Sequence, residues 1–142
     1  MRILLADHAI HEFRAIQEMI SGWGHTLLAA RNGQEAMNRL RTEPPPDLLM
    51  VDRALPGMDG LSLCRWARKH LTPRTPHLVV LSQPGSPALP ELASSAGVDA
   101  LILKPLEVTL LREQLAYAEI ALQQNLAVLR RRFASTRISA SV

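Results

Sequence analysis

The stretch "DLLMVDRALPGMDG", residues 47–60, decides the fold. An apolar run from Leu48 to Val51 stops at the carboxylate of Asp52. A turn segment holding Pro56-Gly57 and Asp59-Gly60 then leads into "GLSLCRWARKH", where apolar residues recur at helical spacing. A run that is continuously apolar, rather than alternating, fits a strand buried on both faces of a parallel sheet.

The same unit repeats along the chain. Further short apolar runs are Ile3 to Ala6, Thr26 to Ala30, His77 to Leu81 and Ala100 to Leu103. Between the runs lie helical stretches that end near Gly22, Pro44, Pro73 and Gly97. Strands alternating strictly with helices predict a doubly wound α/β sandwich, because right-handed crossovers place helices on both faces of the sheet.

Ligands of such sheets sit beyond the carboxyl ends of the strands. The residues there are Asp7-His8, Asp52, Ser82 and Lys104-Pro105, whereas the second run ends at Ala30-Arg31 and offers no comparable group. Two carboxylates, a hydroxyl and an ammonium converging in one cleft suit a cation and a phosphoryl group held on Asp52.

Length and composition bound the rest. The 142 residues amount to one domain, and 47% hydrophobic against 20% charged residues is a globular composition, not a disordered one. The chain has no run of about 18 apolar residues and no signal peptide, so the expected compartment is the cytoplasm and no membrane partner is expected. Its only cysteine, Cys64, excludes an internal disulfide and reads as a small buried hydrophobe. The net charge of +3 invites a nucleic-acid reading, but residues 1–123 hold 12 Lys and Arg against 13 Asp and Glu. The excess belongs to Arg130, Arg131, Arg132 and Arg137, beyond the last acid, Glu119. With 4% aromatic residues as well, direct nucleic-acid binding is not expected.

With these residues in place, the sequence resembles the receiver domain of two-component response regulators over residues 1–120. The most specific part is Asp52 followed by Leu55-Pro56-Gly57-Met58-Asp59-Gly60. "GVDALILKPL" is similar to the end of the family's fifth strand, and Ser82 closes "HLVVLS" in the place of its switch hydroxyl. The resemblance implies a flavodoxin-like, five-stranded sheet of order 2-1-3-4-5 and a cis Lys104-Pro105 bond. It further implies a phosphoacceptor at Asp52, fed by a histidine kinase or phosphotransfer protein, with Lys104 on the phosphoryl group. Mg²⁺ is the implied cofactor, held by Asp7, Asp52 and the backbone carbonyl of Ala54. The signal would leave through the face formed by the fourth helix, fifth strand and fifth helix. Such a chain is a signalling switch and not an enzyme. An aspartate-nucleophile phosphatase needs a second carboxylate two residues after the nucleophile, and that position is Ala54.

The departures are as specific as the matches. The second acid that usually ends the first strand is His8. Imidazole suits a transition metal better than Mg²⁺, and a protonated His8 would itself supply positive charge. Gln83 stands where receivers carry a small residue, Pro84 and Pro87 stiffen the following loop, and Leu101 replaces the usual inward-turning aromatic. These changes define an alternative function: a pseudo-receiver that keeps the fold as an interaction module without phosphate or Mg²⁺. Simpler roles stand beside the site roles: a helix cap for Asp7, a solvated ring for His8, and a backbone-bonded hydroxyl for Ser82. His11, His25, His70 and His77 have no metal-ligand spacing.

Residues 121–142 form a helical extension and a basic, linker-like tail. Leu111, Leu115, Ala118, Leu122, Leu126, Leu129 and Phe133 recur with a period of about 3.67, the repeat of a nearly straight helix. Only the first part of this stripe can pack on the sheet, and Leu126, Leu129 and Phe133 would lie beyond it. The rest fit either a partner, such as a second copy or an output domain, or a frayed helix end, while "ASTRISASV" reads as linker.

Overall fold

The computed structural model describes the backbone of residues 1–140 and the side chains of residues 1–127, except Ile10, together with Arg131. Strands and helices alternate: β1 (Arg2–Ala6), α1 (Ile10–Ser21), β2 (Thr26–Ala30), α2 (Gly33–Leu40), β3 (Leu48–Asp52), α3 (Gly60–His70), β4 (His77–Ser82), α4 (Leu89–Ser95), β5 (Ala100–Leu103) and α5 (Val108–Ala140). Each apolar run is a strand. Asp52 and Ser82 close theirs because their backbones still pair, with Leu81 and Leu103 respectively.

The strands form one parallel sheet of order β2-β1-β3-β4-β5. Side chains alternate across it and build two cores. Leu4, Ala6, Leu49, Val51, Leu78 and Val80 face α2, α3 and α4, where Leu40, Cys64 and Leu89 are buried. Ile3, Leu5, Leu48, Met50, Val79 and Leu81 face α1 and α5, meeting Ile16, Ile20, Leu111 and Leu115. Cys64 is fully buried, and desolvation pushes its thiol up to about 12, so it behaves as a hydrophobe.

Register sets the height of each strand end. Ala6 lies beside Val51, so the next residues, Asp7 and Asp52, emerge side by side. Asp52 lies beside Leu81 and Ser82 beside Leu103, so Ser82 and Lys104 each emerge one step further along. The polar residues of four strand ends therefore meet at one edge of the sheet.

The tail departs from the linker expected of it. α5 runs to Ala140, about 50 Å at 1.5 Å per residue, so the backbone of residues 134–140 is helical and not linker. That segment has the Ser and Thr of a linker but no Gly or Pro to stop a helix already propagating. Leu111, Leu115 and Ala118 are buried on the sheet, Leu122 is half-buried and Leu126 is exposed. The side chains of Leu129, Arg130, Arg132, Phe133 and Arg137, and all of Ser141 and Val142, lie outside the described residues. Among the described residues no helix is long and apolar enough to cross a membrane.

Candidate functional site

Asp52 is 5% exposed at the end of β3, and each of its carboxylate oxygens has a donor. Oδ1 accepts from the backbone N–H of Ala54 at 2.9 Å, which fixes the turn that follows. Oδ2 accepts from Lys104 Nζ at 2.7 Å. α3 begins hard against this turn. The Gly60 N–H donates to the Arg53 carbonyl at 3.0 Å, and a Cβ at Gly60 would stand 2.5 Å from the Asp52 carbonyl oxygen. Asp59 caps α3 by accepting from the Leu61 N–H at 2.8 Å, so the loop is pinned at both ends.

Lys104 reaches its partner from β5, and the Lys104-Pro105 bond after it is cis. Its ammonium is shared. Glu12 Oε2 accepts at 2.6 Å, and Asp7 Oδ2 lies 3.9 Å away. Burial acts to lower the Lys104 ammonium, but the hydrogen bonds to Asp52 and Glu12 prevail and hold it above the ordinary lysine value.

Asp7 is the least satisfied of the carboxylates. Oδ1 accepts from the Ala9 N–H at 2.9 Å, a local turn that leads into α1 but reaches no helical N–H, so Asp7 does not cap that helix as its simpler reading expects. Oδ2 is buried with no hydrogen-bond donor. Desolvation first, and then the Glu12 carboxylate beside it, push the Asp7 carboxyl up to about 7. Glu12 is held below its usual range, first by Asp7 and then, against its own partial burial, by Lys104.

His8 is half-exposed, with Nδ1 3.9 Å from Asp7 Oδ1. Asp7, His8 and Asp52 each offer one ligand atom within 4.8 Å of the others. An orphaned buried oxygen beside two further donors fits a divalent cation. Beyond Asp52 opens a cleft of about 730 Å³, lined among others by Ala54, Met58, Ser82, Gln83 and Pro84. The Ser82 hydroxyl is buried and donates to the Gln83 carbonyl at 3.0 Å. Leu101 packs half-buried against the α3 and α4 side of the core.

Asp7, Asp52, Ser82 and Lys104 thus come together as expected from the strand ends. Glu12 does not figure in that expectation. In sequence it is an acid in the first turn of a helix, where it complements the helix dipole. Its one distinguishing signal is its place five residues after a strand-end aspartate, which returns it to the same edge of the sheet.

A parallel sheet of this order with carboxylates and a lysine at its carboxyl edge defines a flavodoxin-like α/β protein with an acidic pocket. The family model of the response regulator receiver domain matches residues 3–116. Transcriptional regulatory protein ZraR of Klebsiella oxytoca is 30% identical over 116 residues, which cover 82% of this chain and 26% of that protein. Protein-glutamate methylesterase/protein-glutamine glutaminase 1 of Methanospirillum hungatei is 32% identical over 117 residues, covering 80% of this chain and 33% of that protein. The chain therefore spans a third or less of the length of these two relatives. Among solved structures, the signal receiver domain of a signal transduction histidine kinase from Syntrophus aciditrophicus superposes with a TM-score of 0.74 at 27% identity, covering 82% of this chain and 88% of that one. The chain belongs to the response regulator receiver domains, the signalling domains of two-component systems.

Proposed function

We propose that the chain accepts a phosphoryl group on Asp52 from a phosphohistidine of a kinase or phosphotransfer protein. The contact between Lys104 Nζ and Asp52 Oδ2 carries this reading, since it places one buried ammonium where charge would build on the transferred group. An Asp52 oxygen attacks phosphorus, the P–N bond breaks, and its electron pair leaves with the imidazole nitrogen, which takes up a proton. The product is an acyl phosphate on Asp52. Lys104 pairs with its oxygens, and the Ser82 hydroxyl exchanges the Gln83 carbonyl for the phosphoryl group. Catalysis here is positioning and electrostatics.

A divalent cation in this pocket would neutralise charge on the transferring group. Asp7, Asp52 and the Ala54 carbonyl would hold it, and His8 is placed to join them. Mg²⁺ demands oxygen ligands, so a set containing imidazole favours Mn²⁺ or another first-row ion.

The output passes through α4, β5 and α5. That face exposes Leu92, Leu103, Val108, Tyr117 and Ile120, apolar side chains that a partner would cover. Continuing α5 beyond the sheet carries the signal to an output domain or a second copy.

The test is intact mass after treatment with acetyl phosphate, with and without Mg²⁺ and Mn²⁺. Wild-type protein gains one phosphoryl group and Asp52→Asn gains none. Wild-type protein that stays unmodified under every condition would overturn the switch reading in favour of a pseudo-receiver used for protein interaction.

A further inference from the structure

We infer that Glu12 is a positioning residue of this pocket: it anchors the Lys104 ammonium and adds a negative charge beside the Asp7, His8 and Asp52 cluster, strengthening cation binding while opposing an anion on Asp52. The inference rests on the reading of Asp52 as phosphoacceptor.

The geometry is that of one cation shared too widely. Lys104 Nζ contacts Glu12 at 2.6 Å and Asp52 at 2.7 Å, and stands off Asp7 at 3.9 Å. Three carboxylates around one ammonium leave an excess of two negative charges when all are ionised. Independently, Asp7 Oδ2, on a side chain with no exposed surface, has no hydrogen-bond donor. A fully buried carboxylate oxygen left in this way is met either by a proton shared with Glu12 or by a cation, and Lys104, drawn toward Glu12 and Asp52, does not supply the cation.

Glu12 also sets how much positive charge Lys104 presents to a group on Asp52. Part of that charge is already met by Glu12, and the Glu12 carboxylate itself repels an incoming dianion. Its side chain is 37% exposed, so the repulsion is partly screened but not abolished. Removing the Glu12 charge therefore acts with opposite sign on the two ligands. A cation loses an attracting carboxylate and meets a freer ammonium, whereas an anion on Asp52 loses a repelling charge and gains a freer ammonium.

The experiment compares wild type with Glu12→Gln, which keeps the shape and removes the charge. Mn²⁺ alone is titrated by calorimetry, and beryllofluoride is then titrated at saturating Mn²⁺. The expected result is Mn²⁺ affinity lowered about tenfold and beryllofluoride affinity raised about three- to tenfold. A purely structural Glu12 would weaken both ligands together or change neither, and either outcome overturns the inference, as does wild-type protein that binds no Mn²⁺. Glu12→Asp restores the charge on a shorter stem and should recover part of the Mn²⁺ affinity. If neither protein binds beryllofluoride, the phosphoacceptor reading fails and the anion half of the inference is overturned with it, while the Mn²⁺ arm alone decides whether Glu12 strengthens cation binding.

Discussion

Lys104 and Asp52 meet at 2.7 Å although β4 lies between their strands. The lysine side chain crosses the end of β4 and is left 11% exposed, with the Asp52 side chain 7% exposed. A pair this buried is costly to break from one side, because the remaining charge has no substitute partner. Lys104→Met should therefore cost about 3 kcal/mol in urea unfolding at pH 8 without divalent ions. A loss below about 0.5 kcal/mol would mean that water already screens the pair.

Asp7 makes stability depend on pH in a specific direction. Its carboxyl is raised by burial from an ordinary 3.8 to about 7, with Glu12, Asp52, Lys104 and His8 facing it. The folded chain keeps a proton that the unfolded chain releases, so this contribution is complete below about pH 4 and is lost as pH rises through 7. Asp7→Asn cannot ionise and escapes the loss. In chelator, its stability relative to wild type should improve by roughly 2 to 4 kcal/mol between pH 4 and pH 8. An advantage that does not change with pH would show that Asp7 ionises like an ordinary carboxylate.

Most of the site was legible because it lies where apolar runs stop. Asp7 and Lys104 are the first polar side chains after β1 and β5, Asp52 and Ser82 are the polar residues that close β3 and β4, and strand register alone brings them to one edge. Glu12 was not legible, because its role depends on the angle at which α1 leaves β1 and on a lysine 92 positions away. The helical backbone of residues 134–140 was missed for a different reason. Ser and Thr weaken a helix only slightly, and local composition carries less weight than the absence of a stop signal.

Gln83 lines the cleft above Asp52 and is itself exposed. Truncating it opens the approach to the acceptor without removing a core contact, and its backbone carbonyl still serves Ser82. Gln83→Ala should accelerate modification by acetyl phosphate severalfold, read by intact mass against time, with stability within about 0.5 kcal/mol of wild type. An unchanged rate would place the barrier elsewhere than at the mouth of the cleft.

Gly60 opens α3, where alanine ordinarily improves a helix. Here an added Cβ would meet the Asp52 carbonyl oxygen at 2.5 Å and the Arg53 Cα at 3.0 Å, both backbone atoms that cannot rotate away. Gly60→Ala should thus destabilise by about 2 kcal/mol and, by shifting Asp52, weaken beryllofluoride binding in parallel. Stabilisation by the substitution would mean that the turn after β3 yields more readily than its pinned ends suggest.

The stripe along α5 passes from core to solvent within eleven residues. Leu115 is 4% exposed among Ile3, Ile16 and Leu111 in the core cluster, whereas Leu126 is 45% exposed. The same substitution at both should then separate sheet packing from helix extension. Leu115→Ala removes a buried side chain and should cost about 3 kcal/mol in urea unfolding, with Leu126→Ala within about 0.5 kcal/mol. The measurement is made on dilute protein, since a partner on the stripe adds stability by mass action. A loss at Leu126 equal to that at Leu115 would show that the extended end of α5 is covered even in dilute protein. The exposed stripe would then be one side of an interface.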